Sequence, residues 1–366
     1  MAPQGVLTMR QSPAVTFVIL AGGRGERLWP LVRADRPKIC LSLDGAKSLL
    51  AATIDRLRSV WPTAQWMVVT TAGQAQAVRR CLPPAWRGTV LVEPEPKNTA
   101  ACIAVAAAAI ARRDPDRVLV VAPADHWIGR LEAYRHSVRA AIVVAARHHA
   151  IATIGVRPTH PHTGLGYLCA GAALASRRSA GARVFRLARF VEKPSRAVAQ
   201  RLITRPGTYW NVGLFVGSAR TFLRCLTEHL PAHVRHVLPL AARVGRPSFT
   251  REARRVYQQV PAVSFDHGVM DRLTGGLIVE GRFAWEDLGS WEAWVRRAGE
   301  ARAISVESKQ VAVVTHGHHL VATVGVRNLL VVATPSATLI CAPDRAQAVR
   351  AVVKRLARDP RLAAYQ

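Results

Sequence analysis

Short apolar runs alternate with longer segments of helical periodicity through the first 150 residues of the chain. Apolar runs without polar alternation predict strands that are covered on both faces, as in a parallel sheet. Repeated strand–helix units therefore predict the α/β class, with a Rossmann-like, mostly parallel sheet flanked by helices. The predicted strands are residues 16–20, 66–70, 89–93 and 117–122, and the predicted helices are approximately residues 48–60, 73–81, 98–113 and 131–149.

The pattern changes in the second half of the chain, where the apolar runs become shorter. Between residues 311 and 341 they recur about every ten residues, which predicts a small β-layer or a partial β-helix. A basic amphipathic helix over residues 344–358 follows this layer. The other predicted elements of this half are strands at residues 151–156, 164–170 and 183–191 and a helix at residues 290–299.

These patterns divide the 366 residues into three parts. We expect a loose leader over residues 1–14, a main α/β domain over residues 15–299 and a short β-rich extension over residues 300–366 that ends in a helix. No stretch reaches the ~18 consecutive apolar residues of a membrane span. The first residues also lack the basic, apolar and small segments of a signal peptide. The expectation is a cytoplasmic protein with no membrane partner.

Charge and cysteine content add two expectations. The net charge of +28 invites a nucleic-acid or polyanion-binding hypothesis. The basic residues are nevertheless scattered along predicted helices, without a recognisable DNA- or RNA-binding module, so no nucleic-acid partner is expected. The six cysteines are far apart and form no CxxC pair. They are interpreted as buried, unpaired side chains of a reducing compartment, without a disulfide or zinc framework.

A glycine-rich loop follows the first predicted strand directly. Glycine permits positive φ and exposes backbone N–H groups to an anion, and nearby cations add fixed charge. The loop is not a P-loop, because no Lys-Ser/Thr follows Gly25, and it is not a dinucleotide fingerprint, because Leu28 stands where a third glycine is needed. The candidate nucleotide-binding residues of the loop are Leu20, Ala21, Gly22, Gly23 and Gly25, and the cations for phosphate charge are Arg24, Arg27 and Lys38.

Two further motifs follow predicted strands, where ligands of such sheets bind. Asp125 ends the fourth strand, opposite the glycine loop, and its carboxylate suits Mg²⁺ held against triphosphate oxygens. His126 is expected to support the site rather than ligate the metal, since Mg²⁺ prefers oxygen. Asn98 or Thr99 can cap the helix after the third strand, leaving amide N–H groups near the site.

The string from Ala21 to Pro30, with Lys38 after it, resembles the signature of the sugar-nucleotide pyrophosphorylases, which are nucleotidyltransferases. Six motifs stand in the family's order, and the resemblance covers nearly all of residues 15–355. The segment from Glu93 to Thr99 is similar to that of the mannose-1-phosphate guanylyltransferases. This resemblance implies a reaction of GTP with α-mannose 1-phosphate that gives GDP-mannose and pyrophosphate, with Mg²⁺ as cofactor.

The resemblance also implies roles for individual residues. Arg27 and Lys38 would be catalytic, neutralising phosphate charge, and Lys97, Asn98 and Thr99 would contact the nucleotide. Asp287 would be the second metal carboxylate beside Asp125. The implied sugar-phosphate residues are Gly166, Glu192, Lys193, Asn211 and Asp266. The C-terminal extension resembles one that supports a homodimer in the family.

Five positions depart from the family pattern, namely Ile39, Lys97, Leu165, His267 and Asp271. They leave open which sugar 1-phosphate and which NTP react. One alternative is therefore the same chemistry on another sugar or nucleotide. A second is a non-catalytic regulatory protein that binds a nucleotide-sugar, and a polyanion-binding protein is a third.

Overall fold

The structure is a computed structural model that describes residues 12–174, 181–297 and 302–366. Residues 1–11 of the predicted leader and residues 298 and 299 of the predicted 290–299 helix lie outside the described residues. The strands of the main domain are β1 (Val15–Leu20), β2 (Gln65–Thr71), β3 (Thr89–Glu93), β4 (Val118–Pro123), β5 (His126–Ile128), β6 (Ala152–Val156), β7 (Tyr167–Ala173), β8 (Val184–Val191), β9 (Thr208–Ser218), β10 (Leu277–Gly281) and β11 (Trp285–Asp287).

Most of these strands form one central sheet of nine strands, in the order β3-β2-β1-β4-β9-β6-β10-β8-β7. The other two, β5 and β11, pair with each other as a short antiparallel ribbon. The sheet confirms the predicted α/β class. Strands β1 to β4 are parallel, as predicted from their continuous apolar runs.

The other half of the sheet is mixed, because β9 runs antiparallel to both β4 and β6. The pattern did not predict β9 as a strand, since Asn211, Gly213 and Gly217 interrupt its apolar residues. Gly213 has φ of 67°, which glycine adopts without steric cost. Strand β9 therefore contains polar and flexible positions in the middle of the sheet.

Helices cover both faces of the sheet, as expected. They are α1 (Leu49–Arg58), α2 (Ala75–Cys81), α3 (Asn98–Ala111), α4 (Leu131–His148), α5 (Arg196–Thr204), α6 (Ala219–His229), α7 (Pro231–Val237), α8 (Phe249–Tyr257), α9 (Phe265–Gly268), α10 (Trp291–Arg297) and α11 (Val349–Leu356). Alternate residues of a strand point to opposite faces. Phe17 and Ile19 of β1 accordingly pack in the core with α1 and α4, whereas Val18 packs with α3 and α6.

The C-terminal strands are β12 (Ala303–Val306), β13 (Lys309–Thr315), β14 (Val321–Val324), β15 (Arg327–Ala333) and β16 (Thr338–Cys341). They form two small sheets, β12 with β14 and β13 with β15 and β16. Their inner residues share a core with Leu28 and Trp29, which follow the glycine loop, and with Val349 of α11. The extension therefore packs against the back of the glycine loop.

One cysteine expectation is wrong. Cys40 and Cys81 are paired as a disulfide, with their Cα atoms 6.0 Å apart. The pairing depends on the packing of the 3₁₀ turn Lys38–Cys40 against the end of α2, which spacing along the chain does not reveal. Cys102, Cys169 and Cys225 are free and buried, as predicted. Among the helices that the structure describes, none is long and apolar enough to cross a membrane.

Candidate active site

A cleft of about 580 Å³ opens at the carboxyl ends of β1 and β4 and extends along β9. This is the edge at which ligands of α/β sheets bind. Of the residues predicted to bind nucleotide, metal or sugar phosphate, those that line the cleft are Leu20, Gly22, Gly23, Asn98, Thr99, Asp125, Gly166, Glu192, Lys193, Asn211, Asp266 and Asp287. Ala21, Gly25, Arg27, Lys38 and Lys97 lie outside this lining.

The glycine loop leaves β1 and turns at Gly25. Gly25 has φ of 66°, and a Cβ at this position would stand 2.7 Å from Cβ of Lys38. Only glycine therefore satisfies both the backbone conformation and the close approach. The consequence is that the loop and the 3₁₀ turn that begins at Lys38 lie against each other, with Gly22 and Gly23 facing the cleft.

Lys38 connects the two carboxylates that the motifs singled out. Its Nζ lies 2.6 Å from Oδ2 of Asp125 and 3.4 Å from Oδ1 of Asp287, and its side chain is 5% exposed. Burial alone would lower the pKa of Lys38, but the two carboxylates outweigh burial and raise the pKa. For Asp287, burial acts to raise the pKa, and Lys38, His126 and Arg27 together lower it. The ammonium of Lys38 and the carboxylate of Asp287 are thus both charged at neutral pH.

The β5–β11 ribbon brings these carboxylates together. Asp125 directly precedes β5, and Asp287 ends β11 opposite His126. Trp285 Nε1 donates a hydrogen bond to Nδ1 of His126 at 3.2 Å. Burial lowers the pKa of His126, so the ring is neutral and supports the ribbon. At the other side of Asp287, a Cβ on Gly289 would stand 3.0 Å from both Arg27 Nη2 and Asp287 Oδ1, so glycine leaves room for this cation beside the carboxylate.

A second polar cluster lies at the far end of the cleft. Asn211 Nδ2 donates to Oδ1 of Asp266 at 3.2 Å, and Asn211 Oδ1 accepts from Thr153 Oγ1 at 2.9 Å. Glu192 forms an ion pair with Lys193, whose side chain is more than half exposed. Gly166 lies against this pair, because a Cβ there would be 2.7 Å from Oε2 of Glu192. The cluster offers several hydrogen-bond acceptors and an exposed ammonium to a ligand.

The ionisation of Asp266 depends on this neighbourhood. Burial, and then the adjacent Glu192 carboxylate, raise the pKa of Asp266 to about 7. Ser264 caps the short helix α9 by accepting from the backbone N–H of His267, and this fixes Asp266 in the first turn of the helix. Asp266 therefore changes charge close to neutral pH, at a position facing the cleft.

The opposite end of the cleft is formed by α3 and the end of β3. Helix α3 begins at Asn98, and neither Asn98 nor Thr99 caps it, contrary to the expectation. Thr99 Oγ1 instead accepts from the backbone N–H of Phe265 at 2.8 Å, which ties α3 to α9. Lys97 pairs with Glu95 at 3.2 Å and lies outside the cleft lining.

Comparison with known proteins agrees with this geometry. The model of the family described as nucleotidyl transferase matches residues 16–304, and that of the mannose-phosphate isomerase/GMP-like β-helix domain matches residues 301–356. The chain belongs to the nucleotidyl transferase family. A mannose-1-phosphate guanylyltransferase of Sinorhizobium fredii is 34% identical over 365 residues, which cover 95% of this chain and 69% of that protein. One from Escherichia coli K12 is 33% identical over 94% of this chain and 74% of its own length.

A solved structure also resembles nearly the whole chain of this nucleotidyl transferase. A crystal structure from Thermus thermophilus, described as a mannose-1-phosphate geranyltransferase, has a TM-score of 0.78 and 33% sequence identity. The superposition covers 94% of this chain and 99% of that one. The resemblance predicted from six motifs is therefore confirmed at the level of the family.

The donor set of this nucleotidyl transferase fits a divalent metal ion that is held jointly by protein carboxylates and by a substrate. Within residues 12–174, 181–297 and 302–366, no group of three or more His, Cys, Asp or Glu side chains could hold a metal alone. Mg²⁺ in phosphoryl-transfer sites is commonly held by one or two carboxylates plus substrate phosphates. Asp125 and Asp287 would hold the ion in this way, and the buried ammonium of Lys38 compensates their charge.

Glu93 also lines the cleft, and it is a motif residue to which the sequence assigns no role. It is 4% exposed at the end of β3, and Tyr257 donates a hydrogen bond to its Oε1 at 3.1 Å. Burial raises the pKa of Glu93 to about 8. The available signal was its position, since a carboxylate at the carboxyl end of a parallel strand faces the ligand edge of the sheet.

Proposed function

We propose that this nucleotidyl transferase is a mannose-1-phosphate guanylyltransferase, which joins GTP and α-D-mannose 1-phosphate to GDP-mannose with release of pyrophosphate. The observation that carries the proposal is that Asp125 and Asp287, both paired with the buried Lys38, line the same cleft as Gly22 and Gly23 of the glycine loop and the Glu192–Asp266 cluster. The relatives from Sinorhizobium fredii and Escherichia coli bear this name and align over nearly the full chain. A non-catalytic regulatory protein would not require a buried lysine paired with two carboxylates in its binding cleft.

The arrangement supports an in-line displacement without a covalent enzyme intermediate. A phosphate oxygen of the sugar 1-phosphate attacks the α-phosphorus of GTP, and pyrophosphate leaves on the opposite side. Catalysis then consists of positioning and charge stabilisation. The glycine loop binds the triphosphate through its backbone N–H groups, while Lys38 and Arg27 neutralise phosphate charge. Mg²⁺ held by Asp125 and Asp287 supplies Lewis-acid polarisation of the phosphoryl oxygens when bound.

Glu93 accounts for the choice of guanine. An ionised carboxylate only accepts hydrogen bonds, and the Watson–Crick edge of guanine offers the neighbouring N1–H and N2–H donors to it. Glu93 faces the cleft beside Gly22, at the end occupied by Asn98 and Thr99. Uracil or adenine cannot offer the same pair of donors. Lys97 points to Glu95 and is assigned no base contact.

The sugar phosphate occupies the opposite end of the cleft. The carboxylates of Glu192 and Asp266 accept hydrogen bonds from sugar hydroxyls, and the Asn211 amide both donates and accepts. Lys193 has φ of 44°, a positive value that is uncommon for a residue other than glycine. Its exposed ammonium suits the phosphate of the incoming sugar.

The proposal also covers the location of the protein, its domains and its pairing. The protein acts on small molecules in the cytoplasm, and residues 15–299 form the catalytic domain. Residues 300–366 form an extension through which two copies pair. Support for pairing comes from apolar side chains that are about half exposed or more on this extension, namely Ile304, Val306, Leu320, Val324 and Ile340.

Replacement of one metal carboxylate tests this proposal. Asp125→Asn keeps the shape of the side chain and removes the charge, so we expect turnover to fall ~10²-fold or more because metal-dependent charge stabilisation is lost. Steady-state pyrophosphate release with GTP and mannose 1-phosphate measures the loss. Asp116→Asn is the matched control, because Asp116 pairs with Arg220 on the exposed surface and precedes the amino end of β4. Near-normal turnover of the folded Asp125→Asn protein would refute the metal assignment.

A further inference from the structure

Glu286 occupies an unusual position in the β5–β11 ribbon. It lies on β11 between Trp285 and Asp287, which both line the cleft. Successive side chains of a strand point to opposite faces, so Glu286 points away from the cleft and cannot touch a ligand there. Its side chain is only 12% exposed, which means that this second face of the ribbon is covered by other parts of the chain.

Two arginines of α10 cover this carboxylate. Arg296 Nε donates to Oε1 of Glu286 at 2.7 Å, and Arg297 Nε donates to Oε2 at 2.6 Å. Each carboxylate oxygen therefore has its own guanidinium partner. Charge-assisted hydrogen bonds of this kind are shorter and stronger than neutral ones, and the planar guanidinium holds the acceptor in a defined direction.

Arg297 also contacts the other strand of the ribbon. Its guanidinium carbon lies 3.7 Å from the ring centre of Trp127, within the range of a cation–π contact. Trp127 is the residue that pairs with Glu286 across the ribbon. One guanidinium thus contacts both strands of the ribbon on the face away from the cleft. Its contact on β5, Trp127, is two residues after Asp125, and its contact on β11, Glu286, is next to Asp287.

The helix that carries these arginines is itself fixed. Trp291 and Trp294 of α10 are buried in the core shared with Leu330 and Val332 of the C-terminal strands. The contacts therefore connect the C-terminal extension, through α10, to the strands that hold both carboxylates of the active site.

We infer that Glu286, Arg296, Arg297 and Trp127 are positioning residues that fix the separation of Asp125 and Asp287 and thereby set the affinity of the site for a divalent cation. The inference rests on the proposed function, since it assumes a cation held by these two carboxylates. None of the four residues lines the cleft. Partners that orient metal ligands typically change metal affinity or activity by 10–100-fold when they are replaced.

The experiment measures metal binding directly, with Mn²⁺ as the probe and electron paramagnetic resonance of free Mn²⁺ as the readout. Full-length wild type and Glu286→Gln are titrated with Mn²⁺ in the presence of GTP, without sugar phosphate, and the Mn²⁺ bound by the same concentration of GTP without protein is subtracted. Glu286→Gln keeps the size of the side chain and removes the charge that Arg296 and Arg297 bind. We expect Mn²⁺ affinity to fall ~10-fold and turnover to recover at high Mg²⁺, with the KM for the sugar phosphate unchanged.

Two further variants separate positioning from folding. Arg297→Lys keeps the positive charge but loses the planar guanidinium that binds Glu286 and stacks on Trp127. It is therefore expected to weaken Mn²⁺ binding, as Glu286→Gln does. Asp116→Asn removes an exposed carboxylate that also pairs with an arginine and should leave Mn²⁺ binding unchanged. If Glu286→Gln is not stably folded at the temperature of the titration, Arg297→Lys is used to test the inference instead.

The outcomes are distinguishable. Wild-type Mn²⁺ affinity in both Glu286→Gln and Arg297→Lys would overturn the inference and leave the proposed function intact. Absence of a Mn²⁺ site in the wild type, together with absence of turnover, would overturn the proposed function and this inference with it. A ~10-fold loss in both variants, with full recovery of turnover at high metal concentration, would support the positioning role.

Discussion

Binding of GTP should release a proton from Glu93. The pKa of Glu93 is raised to about 8 by burial, so the empty cleft holds this side chain mainly as the neutral acid at pH 7. Recognition of guanine requires the ionised form, because only the carboxylate accepts from both donors of the base. Base binding and loss of the proton are therefore linked, and affinity for GTP must rise with pH.

The magnitude follows from the pKa. A group that titrates at about 8 is roughly one-tenth ionised at pH 7 and half ionised at pH 8. The association constant for GTP should therefore increase ~5-fold between these two pH values. At pH 7 the complex should release about 0.9 proton from this side chain, since nearly all copies of Glu93 begin protonated.

Isothermal titration calorimetry in two buffers of different ionisation enthalpy measures this release. Glu93→Gln is the matched control, because glutamine has the same shape and does not titrate. Subtracting its value removes the contribution of the phosphate groups of GTP. Equal proton release and equal pH dependence in wild type and Glu93→Gln would exclude Glu93 as the guanine-binding carboxylate, as would a wild-type affinity for ATP equal to that for GTP.

Two other changes test the rest of the cleft. Lys38→Met removes the cation that lies between Asp125 and Asp287. Lys38→Met should tighten Mn²⁺ binding to the nucleotide-free protein, because the carboxylates lose their counter-ion. It should also lower kcat ~10²–10³-fold, because a charge-stabilising group is lost. Unchanged Mn²⁺ affinity together with unchanged kcat would contradict the role assigned to Lys38. The pKa of Asp266 is about 7, so the KM for mannose 1-phosphate should fall as pH rises through 7 and the carboxylate becomes an acceptor for sugar hydroxyls. Asp266→Asn should abolish that pH dependence in initial-rate measurements at saturating GTP, and a pH profile that persists in the variant would exclude Asp266 as its origin.

Local patterns predicted the parallel half of the sheet well. The strands that contain Ile19, Val69, Leu91 and Val120 are continuous apolar runs, and such runs report burial on both faces without any knowledge of their partners. The same reasoning could not predict β9. Asn211 and Gly213 of β9 line the cleft, and these two residues interrupt the apolar pattern that is typical of a buried strand.

The site residues show a similar division. Asp125 and Asp287 could be selected because each follows a recognisable motif, but their common contact with Lys38 depends on the β5–β11 ribbon, which forms only through tertiary pairing. The sequence does not indicate a role for Glu93, because its raised pKa comes from burial beneath the folded cleft, beside Tyr257 of a distant helix. The Cys40–Cys81 disulfide likewise depends on tertiary packing, since two segments that are distant in the sequence have to pack together before the two thiols can form a bond.

The most direct test of the proposed reaction is product analysis with the purified protein. Incubation with GTP, mannose 1-phosphate and Mg²⁺ should yield GDP-mannose and pyrophosphate in equal amounts, detected by mass spectrometry and a coupled pyrophosphate assay. A matrix of ATP, UTP and GTP against mannose, glucose and heptose 1-phosphates should give the highest kcat/KM for GTP with mannose 1-phosphate. Binding of GDP-mannose without turnover of any pair, or a preference for a different nucleotide, would contradict the proposed function.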